Sequence, residues 1–130
     1  MNENTAPADA RFVPVAVLDQ LPPGAFLRVI VEGHTLVLGR HGEAVYAFQA
    51  TCPHEKADLS QARIEHGCLV CPRHLAAFAL TDGKASAGWD HVEPLKLYPV
   101  RIVNGEIAVD AAAVSRQPPG GKRQVWDFSR

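Results

Sequence analysis

Two short motifs in this chain carry paired metal-ligand side chains, and they restrict the possible fold more than any other feature. The first is CPH at residues 52–54 and the second is CPRH at residues 71–74, with residues 55–70 between them. Each motif offers one thiolate and one imidazole, and both groups bind transition metals. A single metal centre requires the two motifs to converge on one point. We therefore expect a fold that presents both motifs from neighbouring loops.

The apolar residues favour an all-β fold. They come in short runs, broken about every eight to twelve residues by Gly, Pro, Asn or Asp, which is typical of a sandwich or barrel. No window holds a convincing helical period. A first group of strands is predicted to form a meander over Phe12 to Val17, Phe26 to Val31, Thr35 to Leu38 and Ala44 to Phe48. Two further strands are predicted over Leu97 to Val103 and Glu106 to Val109.

The turn sequences predict where these strands pair. Asn104-Gly105 favours a type I′ hairpin between the last two strands, because both turn positions need positive φ. Turns are also predicted at residues 32–34 and 40–43. Residues 61–80 read as a small hairpin around His66-Gly67, with the two metal-ligand motifs at its ends.

Two metal centres are compatible with these ligands. One is a cluster of two irons and two sulfides, in which one iron binds Cys52 and Cys71 and the other binds His54 and His74. The other is a structural zinc, which also binds two Cys and two His, and the spacing does not exclude it. Zinc fingers typically pair ligands of the same kind within a segment, whereas each motif here mixes them, which favours the iron cluster.

The chain resembles the Rieske ferredoxin family at both motifs and at residues 57–60 (ADLS), 78 (Phe), 81–84 (TDGK) and 97–100 (LYPV). The resemblance covers nearly all of residues 12–110. It implies a Rieske-type antiparallel β-sandwich or barrel with a small cluster-binding subdomain at about residues 50–90. It also implies one [2Fe–2S] cluster, with Cys52, His54, Cys71 and His74 as its ligands.

Three regions follow from this resemblance. Residues 1–10 are predicted to be a flexible N-terminus, residues 11–110 the Rieske domain, and residues 111–130 a C-terminal extension outside the resemblance. The extension reads as a three-alanine run, a linker rich in Pro and Gly, and the sequence VWDF at residues 125–128.

The resemblance implies an electron carrier that is not catalytic in isolation. Such a ferredoxin takes single electrons from a flavin-containing, NAD(P)H-dependent reductase and passes them to a terminal oxygenase. The oxygenase is either a diiron monooxygenase or a Rieske non-haem iron dioxygenase. The residue after the second histidine is Leu75, and a leucine at this position makes the second motif resemble that of ferredoxins that serve diiron monooxygenases. Electrons are expected to leave through the two histidines, and the predicted docking surface is Glu55, Lys56, Leu75 and Trp89.

The reduction potential is expected at the low end of the Rieske range. High-potential relatives carry extra cysteines in both ligand loops and hydroxyl side chains after the second histidine. This chain has Ala57 and Arg73 at the matching cysteine positions, and Ala76 and Phe78 at the matching hydroxyl positions. Without hydroxyl donors to the sulfurs, the reduced cluster is less stabilised.

Composition bounds the partners and the compartment. A formal net charge of −1 argues against nucleic acid, and no segment approaches the ~18 apolar residues of a membrane span. The first residues lack the basic head and apolar run of an export signal. Three cysteines suit a reducing compartment, so a cytoplasmic protein is expected. The cysteine outside the motifs, Cys68, is predicted to be a small buried strand residue.

Two other functions stay open at this level. One is the small, cluster-bearing subunit of a larger redox enzyme, such as a nitrite-reductase-like complex, in which residues 125–128 would be a permanent anchor. A structural zinc-binding or cluster-free interaction module is the other alternative.

Overall fold

The computed structural model describes residues 10–53, 57–72, 76–86 and 93–119. The predicted N-terminus up to residue 9 and the extension from residue 120, including residues 125–128, lie outside this part. The described strands are β1 (Phe12–Val17), β2 (Phe26–Val31), β3 (His34–His41), β4 (Ala44–Gln49), β5 (Arg63–Glu65), β6 (Cys68–Val70), β7 (Ala77–Ala79), β8 (Leu97–Tyr98), β9 (Val100–Val103) and β10 (Glu106–Asp110). One α-helix, α1, covers Ala111–Arg116, and 3-10 turns cover Leu18–Gln20 and Leu59–Gln61.

The strands form three antiparallel sheets. The strand orders are β1-β10-β9, β2-β3-β4-β8 and β5-β6-β7. This arrangement confirms the predicted antiparallel all-β class with a separate small sheet in the region of the two motifs. No helix in the described part of the chain has the length and apolar character that a bilayer span needs.

The four-stranded sheet lies between two apolar cores. Successive side chains of a strand point to opposite faces, so Leu36 and Leu38 enter one core and Val37 enters the other. Ala47 and Phe48 of β4 divide in the same way. The ligand core, on the side of the small sheet, comprises Val37, Phe48, Ala50, Cys52, Ala57, Leu59, Leu69, Cys71, Ala76, Phe78, Leu80 and Leu95. The terminal core comprises Ala16, Leu21, Val29, Val31, Leu36, Leu38, Ala47, Tyr98, Ile107, Val109, Ala111 and Val114.

The predicted hairpin turn at Asn104-Gly105 is confirmed. Asn104 has a φ of 53° and Gly105 a φ of 79°, so both residues adopt the left-handed conformation that a type I′ turn needs. His66-Gly67 connects β5 to β6 with the same pair of positive φ angles, which confirms the predicted small hairpin. The structure adds β7 as its third strand.

Two strand predictions are wrong in their pairing. The first strand does not join the meander, because β1 pairs with β10 and only β2, β3 and β4 follow one another as neighbours. The predicted strand from Leu97 to Val103 is divided at Pro99, with β8 paired to β4 and β9 paired to β10. Proline has no N–H to donate to a ladder, so the chain passes from one sheet to the other at this residue.

Helix α1 was not predicted, because six residues are too short to show a helical period. Its start is fixed by Asp110, whose Oδ1 accepts the N–H groups of Ala112 at 3.0 Å and Arg11 at 2.9 Å. Ala111 and Val114 are fully buried in the terminal core. The three-alanine run that begins the predicted C-terminal extension is therefore packed against the sheet.

Candidate metal centre

Two ligand segments, residues 52–57 and 71–76, have the same length and the same ends. Each begins with Cys-Pro and ends with Ala. The N–H of Cys52 donates to the carbonyl of Ala57 at 2.9 Å, and the N–H of Cys71 donates to the carbonyl of Ala76 at 2.8 Å. The same hydrogen bond therefore joins the first and last residue of both segments.

Antiparallel pairs form the base of each ligand segment. Thr51 pairs with Asp58 in an isolated bridge, and Val70 pairs with Ala77 in the ladder of β6 and β7. Each cysteine thus follows directly after a paired residue. Its position is set by a backbone pair, which is an isolated bridge before Cys52 and a sheet ladder before Cys71.

The two cysteines lie in one apolar environment. Cys52 is 2% exposed and Cys71 is fully buried, and both belong to the ligand core with Phe48, Leu59 and Phe78. A buried thiolate needs a cationic partner, and soft sulfur ligands select iron–sulfur clusters, copper(I) or zinc. Two buried sulfurs from separate segments in one core fit the sulfur half of a two-iron cluster.

The remaining predicted site residues, His54, His74, Glu55, Lys56, Leu75 and Trp89, lie outside the described part of the chain. Within the described ranges no group of three His, Cys, Asp or Glu side chains is placed to hold a metal ion. Two of the four expected ligands belong to the described part, and these are Cys52 and Cys71. The assignment of all four ligands therefore stays a prediction.

Gln49 supports the base of the first ligand segment and was missed in the sequence analysis. Its side chain is almost fully buried, and its Nε2 donates to the carbonyl of Thr51 at 2.7 Å. Its Oε1 accepts the N–H of Lys96 at 2.8 Å. A polar residue that ends an apolar strand, three positions before a ligand motif, was the available signal.

Asp58 fixes the far end of the first ligand segment. Its Oδ1 accepts the N–H of Ser60 at 2.9 Å and the Ser60 hydroxyl at 2.7 Å. Its Oδ2 lies 2.7 Å from Nη2 of Arg28 on β2. The Ser60 hydroxyl and backbone N–H, and then the Arg28 guanidinium, hold the pKa of Asp58 below its usual value, so the carboxylate is ionised at neutral pH.

The far end of the second ligand segment is held differently. Ser86 donates its N–H to the carbonyl of Ala77 at 2.8 Å. Ser86 is the last described residue before residues 87–92. Nearby, the N–H of Leu95 donates to the carbonyl of Gly83 at 2.7 Å. A Cβ on Gly83 would lie 2.1 Å from the carbonyl oxygen of Leu95, so a side chain is excluded at this contact.

Cys68 lies on strand β6, as predicted, but it is half-buried rather than buried. It stands at the end of the strand beside the exposed turn at His66 and Gly67, whereas Leu69 and Val70 point into covered positions. Cys68 is also absent from the ligand core that contains Cys71. The structure thus separates this cysteine from the two candidate ligands.

Known proteins are similar to this chain in sequence. The family model of the Rieske [2Fe–2S] domain matches residues 11–99. The ferredoxin subunit of the 3-phenylpropionate/cinnamic acid dioxygenase of Escherichia coli (strain K12) is 35% identical over 91 residues, which cover 69% of this chain and 84% of that protein.

Two solved structures are similar over most of the chain. One is the ferredoxin complex "Complex of reduced oxygenase and oxidized ferredoxin in carbazole 1,9a- dioxygenase", with 29% identity and a TM-score of 0.67, covering 77% of this chain and 93% of the matched chain. The other is "Crystal Structure of putative NADH-dependent nitrite reductase small subunit from Mycobacterium tuberculosis". It has 26% identity and a TM-score of 0.68, covering 77% of this chain and 94% of that one.

Proposed function

Because this chain belongs to the Rieske [2Fe–2S] domain family, we propose that it is a ferredoxin that carries single electrons in a multicomponent oxygenase system. A Rieske domain holds one [2Fe–2S] cluster through two cysteines and two histidines. The observation that carries the proposal is the pair of equivalent ligand segments, each headed by a buried cysteine of the same core.

We assign the four ligands to Cys52, His54, Cys71 and His74. The two cysteines supply thiolates from the ligand core, and the two histidines supply imidazoles from the same segments. When bound, the cluster takes up and releases one electron. The apolar side chains around the sulfurs, among them Phe48 and Phe78, keep water away from the cysteine side.

The partners proposed are a flavin-containing reductase as donor and a terminal oxygenase as acceptor, in the cytoplasm. The relatives whose names specify a system belong mainly to dioxygenases, which favours a Rieske non-haem iron dioxygenase as acceptor. Leu75 is the residue that favours a diiron monooxygenase instead. The docking surface proposed is Glu55, Lys56, Leu75 and Trp89. In the sequence, Glu55 and Lys56 follow His54, and Leu75 follows His74. Trp89 lies in the segment before Leu95. Binding to both partners is expected to be weak and brief.

A second candidate function is a small subunit of a nitrite-reductase-like enzyme, favoured by the likeness to the Mycobacterium tuberculosis structure. The two functions differ in the lifetime of the complex. A carrier separates from its acceptor during purification, whereas a subunit purifies in a fixed ratio with its catalytic partner. Affinity purification of the full chain from its native cells distinguishes them.

The test of the proposal is spectroscopic and then functional. Anaerobically purified protein is expected to be red-brown, and the dithionite-reduced sample is expected to give the low average g value of a histidine-ligated two-iron cluster in its EPR spectrum. It should then mediate electron flow from NADH and a flavin ferredoxin reductase to cytochrome c, with metal-stripped protein as the control. A colourless protein that retains zinc after treatment with iron and sulfide would contradict the proposal.

A further inference from the structure

Asp58 makes contacts with three groups at the point where the chain leaves the first ligand segment. One carboxylate oxygen accepts both the N–H and the hydroxyl of Ser60, and the other faces the guanidinium of Arg28 at 2.7 Å. Both oxygens are therefore engaged. The side chain is fixed from two directions, by the 3-10 turn that it begins and by strand β2.

The backbone on either side of Asp58 connects these contacts to the ligand segment. The preceding residue, Ala57, accepts the hydrogen bond from the N–H of Cys52 that joins the ends of the segment. The following residue, Leu59, is fully buried and donates its N–H to the carbonyl of Ala50 at 2.8 Å. A displacement of Asp58 would therefore strain the bond between Cys52 and Ala57.

The second ligand segment has no matching side chain. The residue that follows Ala76 is Ala77, which cannot form an ion pair or accept from a turn. Among the described residues, an ion pair with the four-stranded sheet therefore holds the end of the first segment but not that of the second. Arg28 lies on β2, which pairs with β3 along its full length, so it offers a rigid point of attachment.

We propose that Asp58 is a positioning residue that holds the base of the first ligand segment against strand β2 and so fixes the position of Cys52. This inference rests on the proposed function, because it assumes that Cys52 is a cluster ligand. The two Ser60 hydrogen bonds contribute most of the effect. Arg28 and Asp58 are half-exposed, at 51% and 41%, and an ion pair of this kind is screened by solvent.

Three variants separate the contacts. Asp58→Ala removes all of them, Asp58→Asn keeps an acceptor for Ser60 but loses the charge, and Arg28→Gln removes the charged partner alone. The readouts are the rate at which the holoprotein releases its cluster to a chelator, followed by visible absorbance, and the EPR g values of the reduced protein. We expect release to be roughly tenfold faster for Asp58→Ala and roughly twofold to threefold faster for the other two. The g values of Asp58→Ala should be shifted or broadened.

The matched control is the ion pair between Arg63 and Glu65 on β5, whose side chains are also half-exposed, at 54% and 48%. Both residues lie on β5 of the small sheet, outside the two ligand segments. Glu65→Gln is expected to leave both the release rate and the g values unchanged. Positioning by Asp58 is wrong if Asp58→Ala behaves like Glu65→Gln, or if its faster release only matches a loss of melting temperature with unchanged g values. A wild-type protein that binds no cluster would instead overturn the proposed function.

Discussion

The backbone N–H of Cys71 donates to the carbonyl of Ala76 at 2.8 Å, and this bond closes a segment equal in length to the one that Cys52 and Ala57 close. The equivalence places both candidate sulfur ligands at the same point of two similar segments. A backbone pair forms the base of each segment, namely the isolated bridge of Thr51 with Asp58 and the ladder pair of Val70 with Ala77. Backbone hydrogen bonds therefore fix the position of both cysteines.

Cysteine replacement tests the assignment of the sulfur ligands. Cys52→Ala and Cys71→Ala are each expected to abolish the visible spectrum and the EPR signal, because each removes a thiolate that no neighbouring group replaces in the apolar ligand core. Cys68→Ala is the matched control, since Cys68 lies three residues from Cys71 but outside that core. It should keep the full iron and sulfide content. Loss of the cluster in Cys68→Ala alone would reverse the assignment.

The reduction potential is expected below about +100 mV, within the Rieske range of roughly −150 to +300 mV, with little pH dependence near neutrality. Ala76 and Phe78, the residues at the positions of the hydroxyl donors in high-potential relatives, are fully buried and apolar. Redox titration followed by EPR measures the midpoint. A midpoint above that limit in the wild-type protein would show that other donors reach the sulfurs.

Ala76→Ser tests the proposed cause of the expected low potential. A hydroxyl at this position is expected to raise the midpoint by roughly 50 mV, because a donor to a cluster sulfur stabilises the reduced state by about 1 kcal/mol. Ala77→Ser is the control, since it adds the same hydroxyl at the half-buried next residue. An equal shift in both variants would exclude a position-specific hydrogen bond.

Gly83 is expected to be intolerant of a side chain. Its φ of 81° is unfavourable for alanine, and the added Cβ would meet the Leu95 carbonyl oxygen at 2.1 Å. Gly83→Ala should lower the melting temperature of the holoprotein by roughly 10 °C or more. Gly67→Ala is the control, because its φ of 76° is similar but no atom lies within 4 Å of the added Cβ. A fall of roughly 4 °C is expected there, from backbone strain alone.

Tyr98 is expected to make the protein sensitive to alkaline pH. Its hydroxyl donates to the carbonyl of Gln117 at 2.7 Å, and burial raises its pKa far above the ordinary value of about 10. The unfolded chain therefore releases this proton first, so the free energy of unfolding should fall as the pH rises above about 10.

Tyr98→Phe checks this prediction. The variant is expected to be less stable by about 1 kcal/mol at neutral pH, since it loses the bond to Gln117, and to lack part of the alkaline decline. Melting temperatures at several pH values measure both effects. Tyr46→Phe, the control, should keep the alkaline decline of the wild-type protein. Identical pH profiles for Tyr98→Phe and wild type would contradict the role of the phenol.

Local signals were sufficient for part of the fold. The Asn104-Gly105 turn was predictable because its φ angles depend on two adjacent residues. The division at Pro99 was not predicted, although the proline was visible, because the choice of two partners for β8 and β9 depends on residues far along the chain. Asp110 before three alanines is an N-cap signal that could have found helix α1.

The candidate site shows the same limit. The spacing of Cys52 and Cys71 within their motifs predicted a shared centre, and the structure puts both in one core. The ion pair between Arg28 and Asp58 was not predictable, because nothing in the sequence connects a strand arginine to an aspartate 30 residues later. Cys68 was misjudged because its half-buried position depends on the neighbouring turn.

Asp110 has a practical consequence for the use of this protein. Its carboxylate accepts hydrogen bonds from the N–H groups of Arg11 and Ala112, so both ends of the described chain lie on the terminal core. The ligand core is on the other side of the four-stranded sheet. A linker fused directly before residue 10 or after residue 119 would therefore start on the face opposite the cysteines. An electrode coupled through such a linker would leave the cysteine side of the molecule open to a dissolved partner.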